Sequence, residues 1–381
     1  MNLLDLVPAS DGSGFDWQAL CAAFDWIAAL QGVPQDPVHH GEGDVATHVR
    51  RVCEALLDSA AWRAADADHR RRLFLAVLLH DVAKPECTRR DPEGRISSRG
   101  HSRRGAVRAR EIMWRAGVDR QTREAVCGLV LHHQAPLWLL ERADAARRTI
   151  EVAVTTSWNE LCILAAADAR GRICSDQASL LDRIALAGEL ACELGCFDAP
   201  RCFASDRARI AYLQRNRNDT LHGDPAGLDP RCTATLVCGL PGSGKDTWIA
   251  ANMQGHPIVS LDEIRAELNV APTADQGSVA SAARDRARVH LRAGADFVLN
   301  ATNISRDMRW RWIALCRDYD AAVHVVFVET DPSTLRERNR NRDRPVPWPA
   351  IERMIRRWEH PDETEAERVW TVAGSGGVRG D

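Results

Sequence analysis

The chain has 381 residues, and its 50 basic and 53 acidic side chains leave a net charge of −3. This length exceeds one ordinary domain and predicts two, each large enough to bury its own core. The near balance of charge excludes a global field that attracts nucleic acid, so any such binding must come from local arginine clusters.

Twelve cysteines occur without CxxC pairs, which is typical of reduced residues in a cytosolic protein. The first residues carry no basic segment, and the longest strongly apolar run, Leu73–Leu79, is far shorter than a membrane span. We therefore expect a cytoplasmic protein with no membrane partner.

Apolar residues recur at every third or fourth position from about residue 15 to 213, as at Val49, Val52 and Leu56. This spacing predicts successive amphipathic helices. Near residue 215 the pattern gives way to Gly, Pro, Asn and Asp, which indicates a linker. The predicted organisation is a helical domain over 1–214, a linker over 215–232 and a second domain over 233–381, with a disordered tail at 373–381.

Histidines and aspartates stand at the ends of several predicted helices. His80 and Asp81 close the apolar helix that contains Leu73–Leu79, Pro85 ends it one turn later, and Lys84 shares a face with His80. Separate elements supply four more candidate ligands: His48, His101, His133 and Asp168. Imidazole nitrogen and carboxylate oxygen together are a ligand set for divalent transition metals.

We predict a site for one or two divalent transition-metal ions, with Asp81 as the bridge if there are two. Lys84 and Arg172 would neutralise phosphate oxygens. Such ligands suit Mn, Fe, Co, Ni, Cu and Zn alike, so the sequence leaves the metal open. A His-Asp pair at a helix end, taken alone, is more often a cap-like hydrogen bond than a metal site.

Order and spacing favour the metal site. About residues 40–180 resemble the HD phosphohydrolase superfamily. The resemblance rests on the series H…HD…H…HH…D, on Lys84 after the HD pair, and on the closing sequence Ala-Ala-Asp-Ala-Arg-Gly. The resemblance implies an all-α fold that brings the ligands together. It favours His133 over His132, because His133-x-x-Pro136 matches the superfamily's usual phrase. Three histidines in polar surroundings are expected to be exposed and receive no role: His39, His40 and His69.

A glycine-rich loop, Gly239-Leu-Pro-Gly-Ser-Gly-Lys245, follows the apolar run Thr235–Cys238. Between a strand and a helix, such a loop aims backbone N–H groups at nucleotide phosphates, while Lys245 reaches the β- and γ-phosphates. The loop predicts a site for ATP and Mg²⁺ built from these residues: Gly239, Gly242, Ser243, Gly244, Lys245, Asp246 and Thr247.

Asp246 stands where a Ser or Thr normally binds Mg²⁺. Three interpretations stay open. Asp246 could hold the ion through a water, the ion could rest mostly on nucleotide oxygens, or the loop could bind nucleotide without catalysis.

Short apolar runs alternate with helical patterns beyond the linker, which predicts an α/β domain with a parallel sheet. The predicted strands are Thr235–Cys238, Pro257–Leu261, Phe297–Leu299 and Val323–Val328. Asp262 and Arg265 follow the second of them, where an acceptor would lie. The carboxylate could take the proton of an attacking hydroxyl, although Asp-x-x-Arg alone is more often an N-cap with a surface ion pair.

An arginine-dense segment, Arg336–Arg344, leads into Val346-Pro347 and predicts a lid over ATP. About residues 233–360 resemble the phage-type polynucleotide 5′-kinases. The resemblance rests on five motifs that occur in the same order: G-x-P-G-S-G-K-x-T-W, D-x-x-R, T-N, R-N-x-x-R and V-P. The resemblance implies that Asp262 is the general base, Arg265 contacts an acceptor phosphate, and Arg338 and Arg342 are lid arginines. Asn300-Ala301 departs from it, because relatives often place an aspartate before Thr-Asn.

The two halves together resemble the bacterial HD-Pnk family of end-healing enzymes over nearly the whole chain. The resemblance implies phosphorylation of 5′-hydroxyl ends and removal of 3′-phosphate, 2′-phosphate and 2′,3′-cyclic phosphate ends. The expected partners are RNA or DNA ends, bound through backbone phosphates without base specificity, with a ligase as a further candidate.

Three alternatives remain. One is a nucleoside or antibiotic kinase fused to an HD nucleotidase, against which the pair Asp262 and Arg265 argues. The second is a nucleotide-sensing signalling phosphohydrolase, which only Asp246 favours. The third is an inactive binding module, which the complete set of ligand types disfavours.

Overall fold

The computed structural model describes residues 3–9, 15–214, 229–271, 274–342 and 344–374. The chain divides into two compact units, Met1–Cys202 and Phe203–Asp381. The first unit is helical and the second is α/β, as predicted. Within the described ranges, no helix combines the length and apolar character needed to cross a bilayer.

The first unit is built from helices that start at side-chain caps. Asp44, Asp66, Asp119 and Ser157 each accept a backbone N–H of the helix that follows. The helices are α1 (Trp17–Ala23), α2 (Asp25–Ala28), α3 (Val45–Leu57), α4 (Ala60–Ala64), α5 (Ala67–Leu79), α6 (Lys84–Cys87), α7 (His101–Arg115), α8 (Arg120–His132), α9 (Ala135–Trp138), α10 (Ala145–Ala153), α11 (Trp158–Gly171) and α12 (Gln177–Glu193). Leu3–Leu6 and Leu139–Glu141 form 3₁₀ turns, and β1 (Arg89–Arg90) pairs with β2 (Ile96–Ser97) as an antiparallel hairpin.

Helix α5 is the centre of this unit. Its second half, Leu73–Leu79, is buried throughout, and it packs against α3, α8 and α11. Gly171 allows α11 to approach α3 closely, since an added Cβ would lie 2.6 Å from Cγ2 of Val52. The ends of four helices are thereby brought around the end of α5.

The second unit holds a five-stranded sheet in the order β4-β5-β3-β6-β7, with every neighbouring pair parallel. Its strands are β3 (Thr233–Cys238), β4 (Ile258–Ser260), β5 (Phe297–Asn300), β6 (Ala322–Glu329) and β7 (Arg368–Ala373). Its helices are α13 (Asp206–Gln214), α14 (Lys245–Asn252), α15 (Leu261–Glu267), α16 (Gly277–Ala293), α17 (Arg306–Arg317), α18 (Pro332–Arg340) and α19 (Trp348–Ile355).

The four predicted strands are confirmed with small shifts at their ends, but β7 was not predicted. It is an edge strand and mostly half-buried, so its sequence lacks the continuous apolar run of a central strand. Ala373 ends this strand, whereas the prediction put it in a disordered tail. Residues 375–381 of that tail lie outside the described residues.

The helical domain ends earlier than the predicted residue 214, because α13 belongs to the second unit. Arg209 of α13 donates hydrogen bonds to the carbonyl oxygens of Ala366 and Glu367, at 3.3 and 2.7 Å. Arg207 of the same helix pairs with Asp320. Of the predicted linker, residues 215–228 lie outside the described residues.

Candidate functional site

All six predicted metal ligands come together in the first unit, and each is at most 6% exposed. The elements that hold them are α3 for His48, the end of α5 for His80 and Asp81, the start of α7 for His101, the end of α8 for His133 and the last turns of α11 for Asp168. Pro85 lies in the first turn of the separate helix α6, so α5 ends before this proline and not because of it.

Hydrogen bonds fix the orientation of all four imidazoles. Each Nδ1 lies against an oxygen acceptor: His48 against Oε1 of Glu42 (2.8 Å), His80 against O of Val77 (2.7 Å), His101 against O of Ser98 (2.8 Å) and His133 against O of Val130 (2.8 Å). A carbonyl or carboxylate oxygen can only accept here, so each Nδ1 carries the proton. Each ring then directs its Nε2 into the cluster.

These nitrogens lie close to one another and to carboxylates. Nε2 of His48 lies 3.4 Å from Nε2 of His80 and 3.1 Å from Oδ1 of Asp168, and Nε2 of His101 lies 3.2 Å from Nε2 of His133. A proton on one ring or a bound metal ion satisfies such a pair of nitrogens. A buried cluster of imidazole nitrogens and carboxylates is the donor set of a divalent metal site.

Asp81 stands between the two histidine pairs. Its Oδ2 lies 3.3 Å from Nε2 of His80, and its Oδ1 lies 3.4 Å from Nε2 of His101. Lys84 Nζ forms an ion pair with Oδ2 at 2.7 Å, and the described residues supply no further hydrogen-bond partner to either oxygen. The ligand atoms fall into two triads, each within 4.8 Å: His48, His80 and Asp168, and Asp81, His101 and His133. The donor set therefore fits the predicted divalent metal, with Asp81 placed to bridge.

Asp81, Asp168 and His133 are held in the charge states that metal ligands need. At His80, burial opposes protonation, but Asp81 raises the pKa. Burial opposes ionisation of Asp81 and Asp168, but Lys84 beside the first and Arg172 beside the second hold the pKa of both carboxyls well below the usual range. Burial, with His101 and His80 nearby, lowers the pKa of His133 to about 3. Ligating carboxylates must be ionised and ligating imidazoles neutral.

The two predicted phosphate contacts, Lys84 and Arg172, contact the predicted metal ligands. Arg172 donates two hydrogen bonds to Asp168, from Nε to Oδ1 at 3.1 Å and from Nη2 to Oδ2 at 2.7 Å. Lys84 Nζ, which pairs with Asp81, also donates to Oε1 of Gln35 at 2.6 Å. Their contact with a substrate phosphate stays a prediction.

Glu42 is a site residue that the sequence reasoning missed. Its Oε1 accepts from Nδ1 of both His40 and His48 at 2.8 Å, and its Oε2 accepts from the backbone N–H of Ile173 at 2.8 Å. Burial favours the neutral acid, but these hydrogen bonds hold the pKa of Glu42 far below its usual range. No periodic pattern relates Glu42 to His48, so only the fold reveals it.

His40 was expected to be solvent-exposed, and this expectation is wrong. Only 12% of its side chain is exposed, and its ring packs edge-on against His48 at 4.8 Å between centroids. His39 and His69 are exposed, as predicted. The side chain of His132 contacts Arg148, with Nδ1 3.2 Å from a guanidinium nitrogen, and it does not join the ligand cluster. This supports the choice of His133 over His132 as the candidate ligand.

In the second unit, the glycine-rich loop joins β3 to α14 at the carboxyl edge of the sheet. Gly239 has φ 145°, and an added Cβ would lie 2.4 Å from the carbonyl oxygen of Val328, so only glycine fits. Lys245 Nζ donates to the carbonyl oxygens of Gly239 and Leu240 at 3.0 and 3.1 Å, and burial lowers its pKa. The buried hydroxyl of Ser243 has no partner in the described chain, and a bound phosphate would supply one.

The predicted acceptor residues lie on the same edge. Asp262 is in the first turn of α15, directly after β4, with 78% of its side chain exposed and paired with Arg265. Arg265 Nε also donates to Oε1 of Gln276 at 2.8 Å. Burial lowers the pKa of Lys245, and the carboxylates of Asp246 and Asp262 act against this shift.

One of the two predicted lid arginines contacts the loop. Arg338 Nη1 donates to the carbonyl oxygens of Ser243 and Gly374, at 3.2 and 3.0 Å. Arg342 is exposed, and its charge adds to the effect of burial that lowers the pKa of Lys245. Asp246 and Thr247 are exposed in the first turn of α14, and Asp246 Oδ1 accepts from Asn300 Nδ2 at 2.7 Å.

Comparison with known proteins agrees with this division. The HD domain family model matches residues 44–170, and an AAA domain family model matches residues 235–361. The chain joins a helical HD domain to a P-loop kinase-like domain.

Relatives cover only parts of it. The chain is 39% identical over 110 residues to the multifunctional CCA protein of Halorhodospira halophila, which is 28% of this chain and 23% of the relative. It is 35% identical over 124 residues to a bifunctional uridylyltransferase/uridylyl-removing enzyme of Rhodopseudomonas palustris, which is 31% of this chain and 12% of the relative. The chain therefore spans less than a quarter of the length of each of these curated relatives. A solved sugar kinase from Janibacter sp. is similar at 16% identity and a TM-score of 0.31, over 37% of this chain and 84% of that chain.

Replacing Glu42 by Gln is expected to weaken metal binding to the HD domain by about 10–100-fold, as is usual when a residue that orients a metal ligand is lost. The amide cannot accept from both imidazoles and from the N–H of Ile173 at once. Metal affinity of the stripped full-length protein, measured by calorimetry with Mn²⁺, checks this. The control is Glu54→Gln on the same helix as His48, at a side chain 54% exposed; equal affinities in the two variants would contradict the role of Glu42.

Proposed function

We propose that the protein heals broken nucleic-acid ends. The P-loop domain would phosphorylate 5′-hydroxyl ends with ATP. The HD domain would remove 3′-phosphate, 2′-phosphate and 2′,3′-cyclic phosphate ends with a divalent metal. The observation that carries the proposal is the open acceptor position beside the P-loop, where Asp262 is 78% exposed and paired with Arg265.

An exposed general base suits a large acceptor. A kinase of a small metabolite encloses its acceptor, because a pocket buries most of a small ligand's surface. A polynucleotide end needs only its terminal hydroxyl and adjacent phosphate at the site, and the rest of the strand extends into solvent. The carboxylate of Asp262 and the guanidinium of Arg265 match these two groups.

The kinase step follows from this arrangement. Asp262 would leave Arg265 and accept the proton of the 5′-hydroxyl, while Arg265 binds the neighbouring phosphate. The 5′ oxygen then bonds to the γ-phosphorus as the bond to the β–γ bridging oxygen breaks and ADP leaves. Lys245 would move from the carbonyls of Gly239 and Leu240 to the β- and γ-phosphates, and Arg338 and Arg342 would offset the charge on the transferred group.

In the HD domain, a bound divalent metal would supply an ionised water near neutral pH and polarise the phosphoryl group. The chain's own residues prepare the site. Backbone carbonyls and Glu42 keep the four Nε2 atoms directed inward, and Lys84 and Arg172 keep Asp81 and Asp168 ionised. Water attack on a terminal phosphate requires no contact with a base.

A basic hairpin supports a polymeric substrate. Residues 88–100, which contain β1 and β2, carry four arginines against two acidic residues. The arginines are all exposed: Arg89, Arg90, Arg95 and Arg99. The hairpin ends at the metal cluster, where the carbonyl of Ser98 holds Nδ1 of His101 at 2.8 Å. A groove of ≈ 270 Å³ lies between its base and residues 31–34. A strand whose 3′ end is in the cluster would have its backbone phosphates within the reach of these cations.

The two activities should separate in single variants. Asp81→Asn is expected to reduce 3′-phosphate removal by about a hundredfold or more and to spare the kinase, because it removes the bridging carboxylate. Asp262→Asn should lower 5′ phosphorylation by about 10²–10⁴-fold and spare phosphate removal. An oligonucleotide with a 5′-hydroxyl and a 3′-phosphate, incubated with ATP, Mg²⁺ and Mn²⁺ and resolved by mass, reports both ends. Loss of both activities in either variant would contradict two independent sites.

The hairpin should affect polymers selectively. The double variant Arg90→Ala/Arg95→Ala is expected to raise KM for a 3′-phosphorylated oligonucleotide several-fold and to reduce the salt dependence of that KM, because two contacts to backbone phosphates are lost. A nucleoside 3′-monophosphate should be hydrolysed as by the unaltered protein. Arg63→Ala, an exposed arginine elsewhere in the same domain, is the matched control. Equal effects on polymer and mononucleotide would favour a nucleotidase.

A further inference from the structure

Asp246 and Asn300 meet at the carboxyl edge of the sheet. Asn300 is the last residue of β5, which pairs with β3 directly before the loop, and Asp246 is the second residue of α14. Asn300 Nδ2 donates a hydrogen bond to Asp246 Oδ1 at 2.7 Å. One hydrogen bond thus joins the two positions at which the sequence departs from the kinase pattern.

P-loop enzymes usually hold the Mg²⁺ of the nucleotide with a hydroxyl directly after the loop lysine and a carboxylate from another strand. Mg²⁺ keeps several waters and takes one or two carboxylates in addition to phosphate oxygens. In this chain the carboxylate follows Lys245, and the strand end offers the neutral amide of Asn300. The pair still supplies one negative charge and one neutral oxygen, but from exchanged positions.

We infer that Asp246 is the charged Mg²⁺ ligand of the P-loop domain and that Asn300 positions it. The inference rests on the proposed binding of Mg²⁺ with ATP by this domain. The hydrogen bond from Asn300 occupies Oδ1 of Asp246 and leaves Oδ2 for the ion or one of its waters. Thr247 cannot replace Asp246 as the Mg²⁺ ligand, because its side chain is rotated by about 100° around the helix axis relative to that of Asp246.

A carboxylate directly after Lys245, in place of the usual hydroxyl, changes how ATP binds with and without Mg²⁺. Asp246 is exposed next to Lys245, at the start of the helix that faces the phosphates. Without a divalent ion, its negative charge repels the phosphates of ATP. With Mg²⁺, the same charge contributes to binding. ATP affinity should therefore depend on Mg²⁺ more strongly than in a loop with a hydroxyl at this position.

The test measures ATP affinity of the full-length protein by calorimetry, with Mg²⁺ and with excess EDTA. In the unaltered protein, Mg²⁺ is expected to increase affinity at least about tenfold, the size of one charge-assisted contact. Asp246→Asn should bind Mg²⁺-free ATP more tightly and lose most of this gain. The exchange variant Asp246→Ser/Asn300→Asp should recover the gain, because it restores the usual order of the ligands. Gln254→Ala, exposed beyond the end of α14, is the control and should behave as the unaltered protein.

The possible outcomes separate a failure of this inference from a failure of the proposed kinase function. A full Mg²⁺ gain in Asp246→Asn would overturn the inference, and so would an exchange variant that binds ATP without the gain. If the unaltered protein binds no ATP under either condition, the proposed kinase fails together with the inference. If ATP binds with the predicted Mg²⁺ gain but no oligonucleotide is phosphorylated, the inference stands and the proposed acceptor is wrong.

Discussion

The helical domain is organised around a buried group of imidazole nitrogens and carboxylates. Four Nε2 atoms point inward in two close pairs, and Lys84 and Arg172 lie against the carboxylates of Asp81 and Asp168. Burying such groups is costly unless cations offset their charge. The fold maintains the arrangement through Nδ1 hydrogen bonds to backbone carbonyls three residues earlier in the chain and through Glu42. This constraint explains why the ends of several helices converge on the end of α5.

The kinase-like domain meets a different requirement with a parallel sheet. Because its strands all run in the same direction, the segments after β3, β4 and β5 emerge at one edge. The phosphate loop, the acceptor pair and Asn300 are adjacent for this reason, although they are far apart in sequence. Under the proposed function, each domain supplies one phosphate-handling site, one for each end of a strand break.

Much of this could be predicted from sequence. The six predicted metal ligands, which the fold brings together, and the glycine-rich loop follow from residue type, order and helix ends, which are local properties. Glu42, His40 and the contact between Asp246 and Asn300 could not be found, because they depend on which side chains the fold brings together. The end of the helical domain was also missed, since α13 has the same periodicity as the helices before it and only its contacts through Arg209 assign it to the second unit. Strand β7 lacked an apolar run because it lies at an edge.

The most direct test of the account is to locate metal in the HD domain. Crystals of the full-length protein soaked with Mn²⁺ would be measured near the manganese absorption edge. We expect one or two anomalous peaks beside Asp81, within the triad of His48, His80 and Asp168, within that of Asp81, His101 and His133, or within both. An anomalous map with no peak among these side chains, while their imidazoles remain in place, would contradict it.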